Sequence, residues 1–306
     1  MGTPEFAVPS LQALLENSQL DIVAVITQPD KPIGRNGTPQ PGPIKQLALA
    51  HSLVVWTPIK LKNNVNIIAQ IEATNPDVII VAAYGKILPQ EILDIPQFGI
   101  VNVHGSYLPK YRGASPLVAA ILNGDTTTGI TLMKMVLEVD AGPIIAISKA
   151  VPIDAQDTTA SLTRKLAPIG AELLNQKLIL YLAGQIILIP QDESQAIYAP
   201  MIKKEDGLIN WHENADTIER KTRAYYPWPS AYTFWQGKRL KIIQGQVMPE
   251  TTGSPGAAWA TPDKYPAVTT GQGSLKLITV QPEGKTMMPG ADFLRGCPAI
   301  IGATLS

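Results

Sequence analysis

The 306 residues carry 25 Lys and Arg against 25 Asp and Glu, with 45% apolar and 16% charged residues. That balance excludes wholesale disorder and leaves enough apolar material for a buried core. Cys297 is the single cysteine, which excludes an intramolecular disulfide and a cysteine-based zinc site and fits a reducing compartment.

In chain order, Thr3-Pro4-Glu5 reads as a helix start, with cap, first-turn proline and first-turn acid, leading into a helix over 8–16. Short apolar runs at 22–27, 53–56, 78–83, 99–104, 130–135 and 144–147 read as strands buried on both faces. Helical patterns at 44–51, 65–72 and 116–122 lie among them. This alternation predicts a doubly wound, mostly parallel α/β sheet, in which ligands bind beyond the carboxyl ends of the strands. Residues 158–183 read as a long helix capped by Asp157 or Thr158, with Pro168 expected to kink or break it. The greasy stretch 178–189 is interrupted by Gly184 and Gln185 and is too short to span a bilayer, so no membrane role is expected. Beyond it, short β-like runs separated by Gly, Pro and Thr predict a small β-barrel. The expected division is 1–185, a linker over 186–203, and 204–306. Residues 201–306 hold 12 Lys and Arg against 9 Asp and Glu, so the second part is mildly basic and the first mildly acidic.

The chemistry concentrates in residues 99–142. Asn102 and His104 lie two apart at the end of an apolar strand, so period-2 alternation puts both on one face. An amide can donate to a developing oxyanion, and an imidazole can move a proton near neutral pH. Asp140 follows the next apolar run and supplies a carboxylate that would orient His104 and raise its pKa, giving an imidazolium. The run Ser106-Tyr107-Leu108-Pro109-Lys110-Tyr111-Arg112-Gly113 reads as a shaped, anion-accepting loop. For Asn102 and His104 taken singly, a hydrogen-bonded structural role stays open.

These residues resemble the methionyl-tRNA formyltransferase family. The resemblance runs through Gly2-Thr3-Pro4-Glu5-Phe6-Ala7, Thr27-Gln28-Pro29-Asp30-Lys31-Pro32 with Gly34-Arg35, Ala83-Tyr84-Gly85-Lys86-Ile87-Leu88-Pro89, the 102–113 run, and Asp140 with Gly142. It continues through Lys203-Lys204-Glu205-Asp206-Gly207, Pro227-Trp228-Pro229 and Ala291-Asp292-Phe293-Leu294-Arg295-Gly296. It implies a Rossmann-like catalytic domain followed by an OB-like β-barrel that binds tRNA. It implies formyl transfer from 10-formyltetrahydrofolate to initiator methionyl-tRNA, with Asn102, His104 and Asp140 catalytic and no metal. Ser106, Tyr107, Leu108, Pro109, Ala83, Tyr84 and Gly85 would line the folate site. Arg35 in the loop over 30–45, with Lys203, Lys204, Lys238, Arg239 and Lys241, would contact tRNA phosphates. A cytoplasmic monomer is expected, an organelle stroma or matrix being the other compartment the resemblance allows.

Family members begin with an apolar strand directly before Gly-Thr-Pro, in the middle of the sheet. Here that first strand is missing, and its loss would leave neighbouring backbone groups unpaired at ~1–3 kcal/mol for each buried one. The expectation is that Met1 is an internal methionine of a longer reading frame. Two rival functions stand beside the first: a folate-dependent formyltransferase for a sugar nucleotide or other amine, and an N-terminally truncated, inactive tRNA-binding protein.

Overall fold

The computed structural model describes residues 1–32 and 37–306. Contacts divide the chain into one unit of Met1–Pro116, Thr127–Pro152 and Thr163–Pro200, and a second of Leu117–Thr126, Ile153–Leu162 and Met201–Ser306. Residues 186–200, expected to be linker, belong by their contacts to the first unit. Ile189 there bridges Ile144, and Tyr198 bridges Arg112.

In the first unit, β1 (Val25–Ile26) pairs in parallel with β2 (Val55–Trp56), and β3 (Ile79–Val81) with β4 (Ile100–His104). Met1 and Gly2 bridge the two pairs. Gly2 N donates to Ile26 O at 3.1 Å, and Ala82 N donates to Met1 O at 3.0 Å. Alongside lies an apolar groove lined in part by Leu11, Ile22, Val23, Ile80 and Leu178. Of the run 22–27, only Val25 and Ile26 lie in a strand, because strand pairing needs a hydrogen-bonded neighbour and Val55–Trp56 supplies it only there. The sheet continues beyond β4 with β5 (Thr131–Lys134) and β6 (Ile144–Ile147), both antiparallel to their neighbours. The short segment 135–143 between them allows only a hairpin, since a parallel return needs a crossover of a dozen or more residues.

Helices cover this sheet: α1 (Val8–Glu16), α2 (Pro43–Ala50), α3 (Val65–Ala73) and α4 (Gln90–Leu93). After α5 (Pro116–Leu122) comes α6 (Thr159–Leu182), which runs unbroken through Pro168. Leu166, Leu174 and Leu178, at helical spacing, are all buried and hold the helix against the loss of one backbone bond at the proline. Thr158 caps its start, accepting the Ser161 N–H at 3.2 Å on Oγ1. No helix among the described residues is long and apolar enough to cross a membrane.

The second unit holds α7 (Ala215–Ala224), which the sequence reading missed, and an antiparallel sheet. The sheet runs in the order β7 (Ala231–Trp235), β8 (Lys238–Met248), β11 (Ser274–Pro282), β10 (Pro266–Thr269) and β9 (Ala258–Ala260). β12 (Met288–Pro289) pairs with β11, and α8 (Gly290–Gly296) follows. The last residues join both edges. Ala258 N donates to Ala303 O at 2.9 Å and Leu305 N to Gly256 O at 2.9 Å, while Phe234 N donates to Ser306 O at 2.6 Å. The curled sheet fits an OB-like barrel, and its interior holds Trp211, Ile218, Leu240, Ile242, Leu277 and Leu305.

Candidate functional site

All of β4 is buried, and its alternation aims Asn102 and His104 at one carboxylate. Asn102 Nδ2 donates to Asp140 Oδ1 at 3.3 Å. His104 Nδ1 lies 3.6 Å from Asp140 Oδ2, and that oxygen accepts the Gly113 N–H at 2.8 Å. His104 Nε2 sits 2.9 Å from the Tyr111 carbonyl. A carbonyl can only accept, so Nε2 carries the hydrogen and Nδ1 is the atom open to protonation.

Burial lowers the His104 pKa from its ordinary value, and the opposing pulls of Asp140 and of the Tyr111 carbonyl do not offset it. Burial therefore favours the neutral ring over the imidazolium expected from the sequence. The 3.6 Å gap to Asp140 agrees with two acceptors facing each other. A proton arriving on Nδ1 would find the carboxylate already in place.

Asp140 does not reach this point from the end of a parallel strand. β5 runs antiparallel to β4, with His104 opposite Thr131 and Val101 opposite Lys134, so its carboxyl end lies away from His104. The 135–143 turn instead brings Asp140 back to Asn102. Gly142 makes the tight return feasible, because a Cβ there would lie 1.7 Å from the Lys134 carbonyl oxygen. Asp140 itself has a left-handed backbone, φ 49°, which aspartate tolerates better than most residues.

The loop after His104 is not an open anion acceptor. Arg112 is 1% exposed, and its guanidinium forms a bidentate pair with Glu193 at 2.8 and 2.7 Å. Arg112 Nε donates to Gln191 Oε1 at 3.0 Å, and the Lys110 ammonium lies 4.8 Å over the Tyr111 ring. Gly113 has φ 115°, and a Cβ there would come within 2.6 Å of the Ala199 carbonyl oxygen. The sequence reading missed Gln191, Glu193 and the Tyr111 carbonyl. A charge-bearing stretch following so greasy a helix was the one available signal, and it read as linker.

Of the residues expected at a folate site, two groups follow neighbouring parallel strands. Ala83 and Gly85 are exposed beyond β3, while the Tyr84 ring is buried. Burial pushes the Tyr84 hydroxyl up to about 12, and its carbonyl accepts from Gln28 Nε2 at 2.8 Å. Beyond β4, Ser106 and Leu108 point inward, with Ser106 O and Leu108 N both bonded to Thr131 Oγ1 at 2.6 and 3.1 Å. Tyr107 and Pro109 are half-buried.

Of the expected phosphate contacts, Arg35 lies outside the described residues. Within the same 30–45 stretch of sequence, Lys31–Pro32 pairs with Pro39–Gln40. Lys203, Lys204 and Lys238 are exposed, and Arg239 and Lys241 half-exposed, all in the second unit. Alternation sends Arg239 and Lys241 outward while Leu240 and Ile242 enter the barrel. The Arg239 guanidinium stacks 4.2 Å over Tyr232, and Ile209, just past the Lys203-Lys204 turn, donates its N–H to Tyr232 O at 2.8 Å. These cations therefore flank β7, with Lys238, Arg239 and Lys241 on β8 at one side and the Lys203-Lys204 turn leading to the other.

Residues 1–178 match the family described as formyl transferase, and residues 201–298 match its C-terminal domain. Methionyl-tRNA formyltransferase of Roseiflexus castenholzii is 46% identical over 298 residues, covering 97% of this chain and 94% of that protein. The protein of the same name from Streptococcus thermophilus is 44% identical over 296 residues, covering 97% and 94%. Among solved structures, an N-formyltransferase from Helicobacter canadensis, in complex with folinic acid and dTDP-3-aminofucose, superposes with a TM-score of 0.66. It is 21% identical and covers 90% of this chain and 96% of that one, a likeness of fold. On these matches the chain belongs to the methionyl-tRNA formyltransferase family.

Proposed function

We propose that the chain transfers a formyl group from 10-formyltetrahydrofolate to the free amino group of initiator methionyl-tRNA, as a cytoplasmic monomer serving translation initiation. The observation that carries this reading is the convergence of the Asn102 amide, the His104 Nδ1 and the Asp140 carboxylate on one point beyond β4. Relatives that carry this name at 42–46% identity along nearly the whole chain support the choice of acceptor.

The residues fit a formyl donor held beside them. The co-substrate supplies the formyl carbon. One Nδ2 hydrogen of Asn102 is given to Asp140, and its second is assigned to the oxygen that gains negative charge as the amine attacks. Neutral His104 takes the amine's proton on Nδ1 and returns it to the departing folate nitrogen, so protons balance across the transfer. Asp140, 3.6 Å away, stabilises the imidazolium that exists between these two steps. The Tyr111 carbonyl holds Nε2 and fixes which nitrogen does this work.

The test is a formylation assay with 10-formyltetrahydrofolate and either methionyl-tRNA or a UDP-amino-sugar as acceptor. Turnover of methionyl-tRNA alone is the expected result. Turnover of the sugar alone would replace the acceptor, and tRNA binding without turnover would replace the enzyme reading altogether.

A further inference from the structure

We infer that Gln191 is a positioning residue for this site, acting through Asp140 from a stretch that the sequence reads as linker; the inference rests on the catalytic reading of Asp140 given above. Gln191 uses both hydrogens of its amide on the Asp140 turn. Its Nε2 donates to the Asp140 carbonyl at 2.8 Å and to the Gly142 carbonyl at 2.7 Å. Two carbonyls held by one planar amide fix the Asp140–Ala141 and Gly142–Pro143 peptide planes, at the two ends of the turn's tip, and with them the direction of the Asp140 side chain. That residue needs holding, since its backbone is left-handed and such a conformation persists only where the surroundings determine it.

Gln191 is in turn held from behind. Arg112 Nε donates to its Oε1 at 3.0 Å, so the amide cannot flip without breaking three bonds. The Arg112 guanidinium is buried and anchored bidentately on Glu193. The two strands of chain are also stitched by backbone. Arg112 N donates to Ile197 O at 2.8 Å, and Ala199 N to Arg112 O at 2.7 Å. The residues beside Arg112 are the ones that grip the catalytic pair: Tyr111 through its carbonyl to His104, and Gly113 through its N–H to Asp140. Gln191 therefore closes a ring of bonds in which every member touches Asp140, His104 or a neighbour of one of them.

A double-mutant cycle in the intact chain tests this. Gln191→Ala and the isosteric Gln191→Glu, which cannot offer both hydrogens, are each expected to lower kcat for formylation by roughly 10-fold to 100-fold, the scale of a misplacement near 1 Å. KM for both substrates should change by less than about 3-fold. In an Asp140→Ala background, Gln191→Ala should cost nothing further, since it acts through the missing carboxylate. An unchanged kcat, or the same loss repeated in the Asp140→Ala background, would overturn the inference. Should Gln191→Ala fail to fold, Gln191→Glu, which keeps an acceptor for Arg112, decides by the same criteria. The ¹⁵N resonance and titration of the His104 imidazole give a readout free of substrate. Both should move in Gln191→Ala if Asp140 is displaced, and an unmoved spectrum would refute the role. If the wild-type chain formylates no methionyl-tRNA, the functional reading falls and the His104 spectrum still decides the positioning role.

Discussion

At the end of β4 the buried candidate groups are polar, and each is held by a hydrogen bond from another segment, 7 to 51 residues away. His104 rests on the Tyr111 carbonyl, Asp140 on the Gly113 N–H, and the Asp140 turn on Gln191. In the barrel the buried groups are mostly apolar, with Leu240, Ile242, Leu275 and Leu305 filling an interior whose edges the last residues join. A directional bond is either present or absent, whereas apolar contact is lost by degrees. The two regions should therefore fail differently when altered: the first in rate, the second in stability.

The largest expected effect breaks the first region alone. Asn102→Ala and His104→Ala should each lower kcat by ~10²–10³ while leaving the thermal transition close to that of the wild type. Steady-state formylation beside calorimetry measures both quantities. A variant that lost its fold together with its activity would show that these side chains hold the structure, and the contrast between the regions would collapse.

The matching change in the barrel is Leu305→Ala. Leu305 is 3% exposed and belongs to the segment that closes the sheet, so truncation should cost ~2–5 kcal/mol of unfolding free energy. Urea titration measures it. With the fold intact at assay temperature, kcat should stay within about 2-fold, because no reacting group is touched.

The contrast also explains what could be read from the sequence. The residues of β4 were legible with their shared face, because strand alternation is local and strong in Ile100–His104. The barrel was legible from its turns and short runs, although α7 was missed, since its polar surface carries few apolar residues to reveal a period. Asp140 was found, but its route was not. Nothing in residues 130–147 states that β5 reverses direction, because direction is decided by which neighbour a strand finds. Gln191 escaped for the same reason, and so did the anchoring of Arg112, which the sequence places instead in an anion-accepting loop. Their partners stand 51 and 79 residues away, and a glutamine in a polar stretch carries no local pattern.

A smaller effect sharpens the electrostatics of the first region. Since burial lowers the His104 pKa from 6.5, the neutral ring that accepts the proton predominates above that value. kcat/KM should be level near neutral pH and fall on an acid limb lying below pH 6.5. Asp140 pulls the pKa upward, so Asp140→Asn should move the limb to lower pH in addition to lowering the plateau. Stability follows the same sign. A folded pKa below the unfolded one means that the stabilisation is complete above about 6.5 and is lost as the pH falls towards the folded value. An activity that rose towards acid pH would instead require the imidazolium as the resting form.

The smallest effect concerns the outer surface of the barrel, where charge is exposed and each contact is weak. Lys238 and Lys241 should each contribute about one phosphate contact, so Lys238→Ala or Lys241→Ala should reduce the slope of log K against log salt by roughly 0.7–0.9. Arg239 differs because its guanidinium already lies 4.2 Å over Tyr232. A stacked cation has less freedom to lose on binding, so Arg239→Ala should weaken tRNA binding more than either lysine change at equal salt slope. Filter binding of methionyl-tRNA across a salt series separates the two quantities. Equal losses for all three residues would mean that the stacking confers no pre-ordering. Unchanged slopes would move the RNA contact off β8, leaving the closed barrel with the stability role that Leu305 tests and no share in recognition.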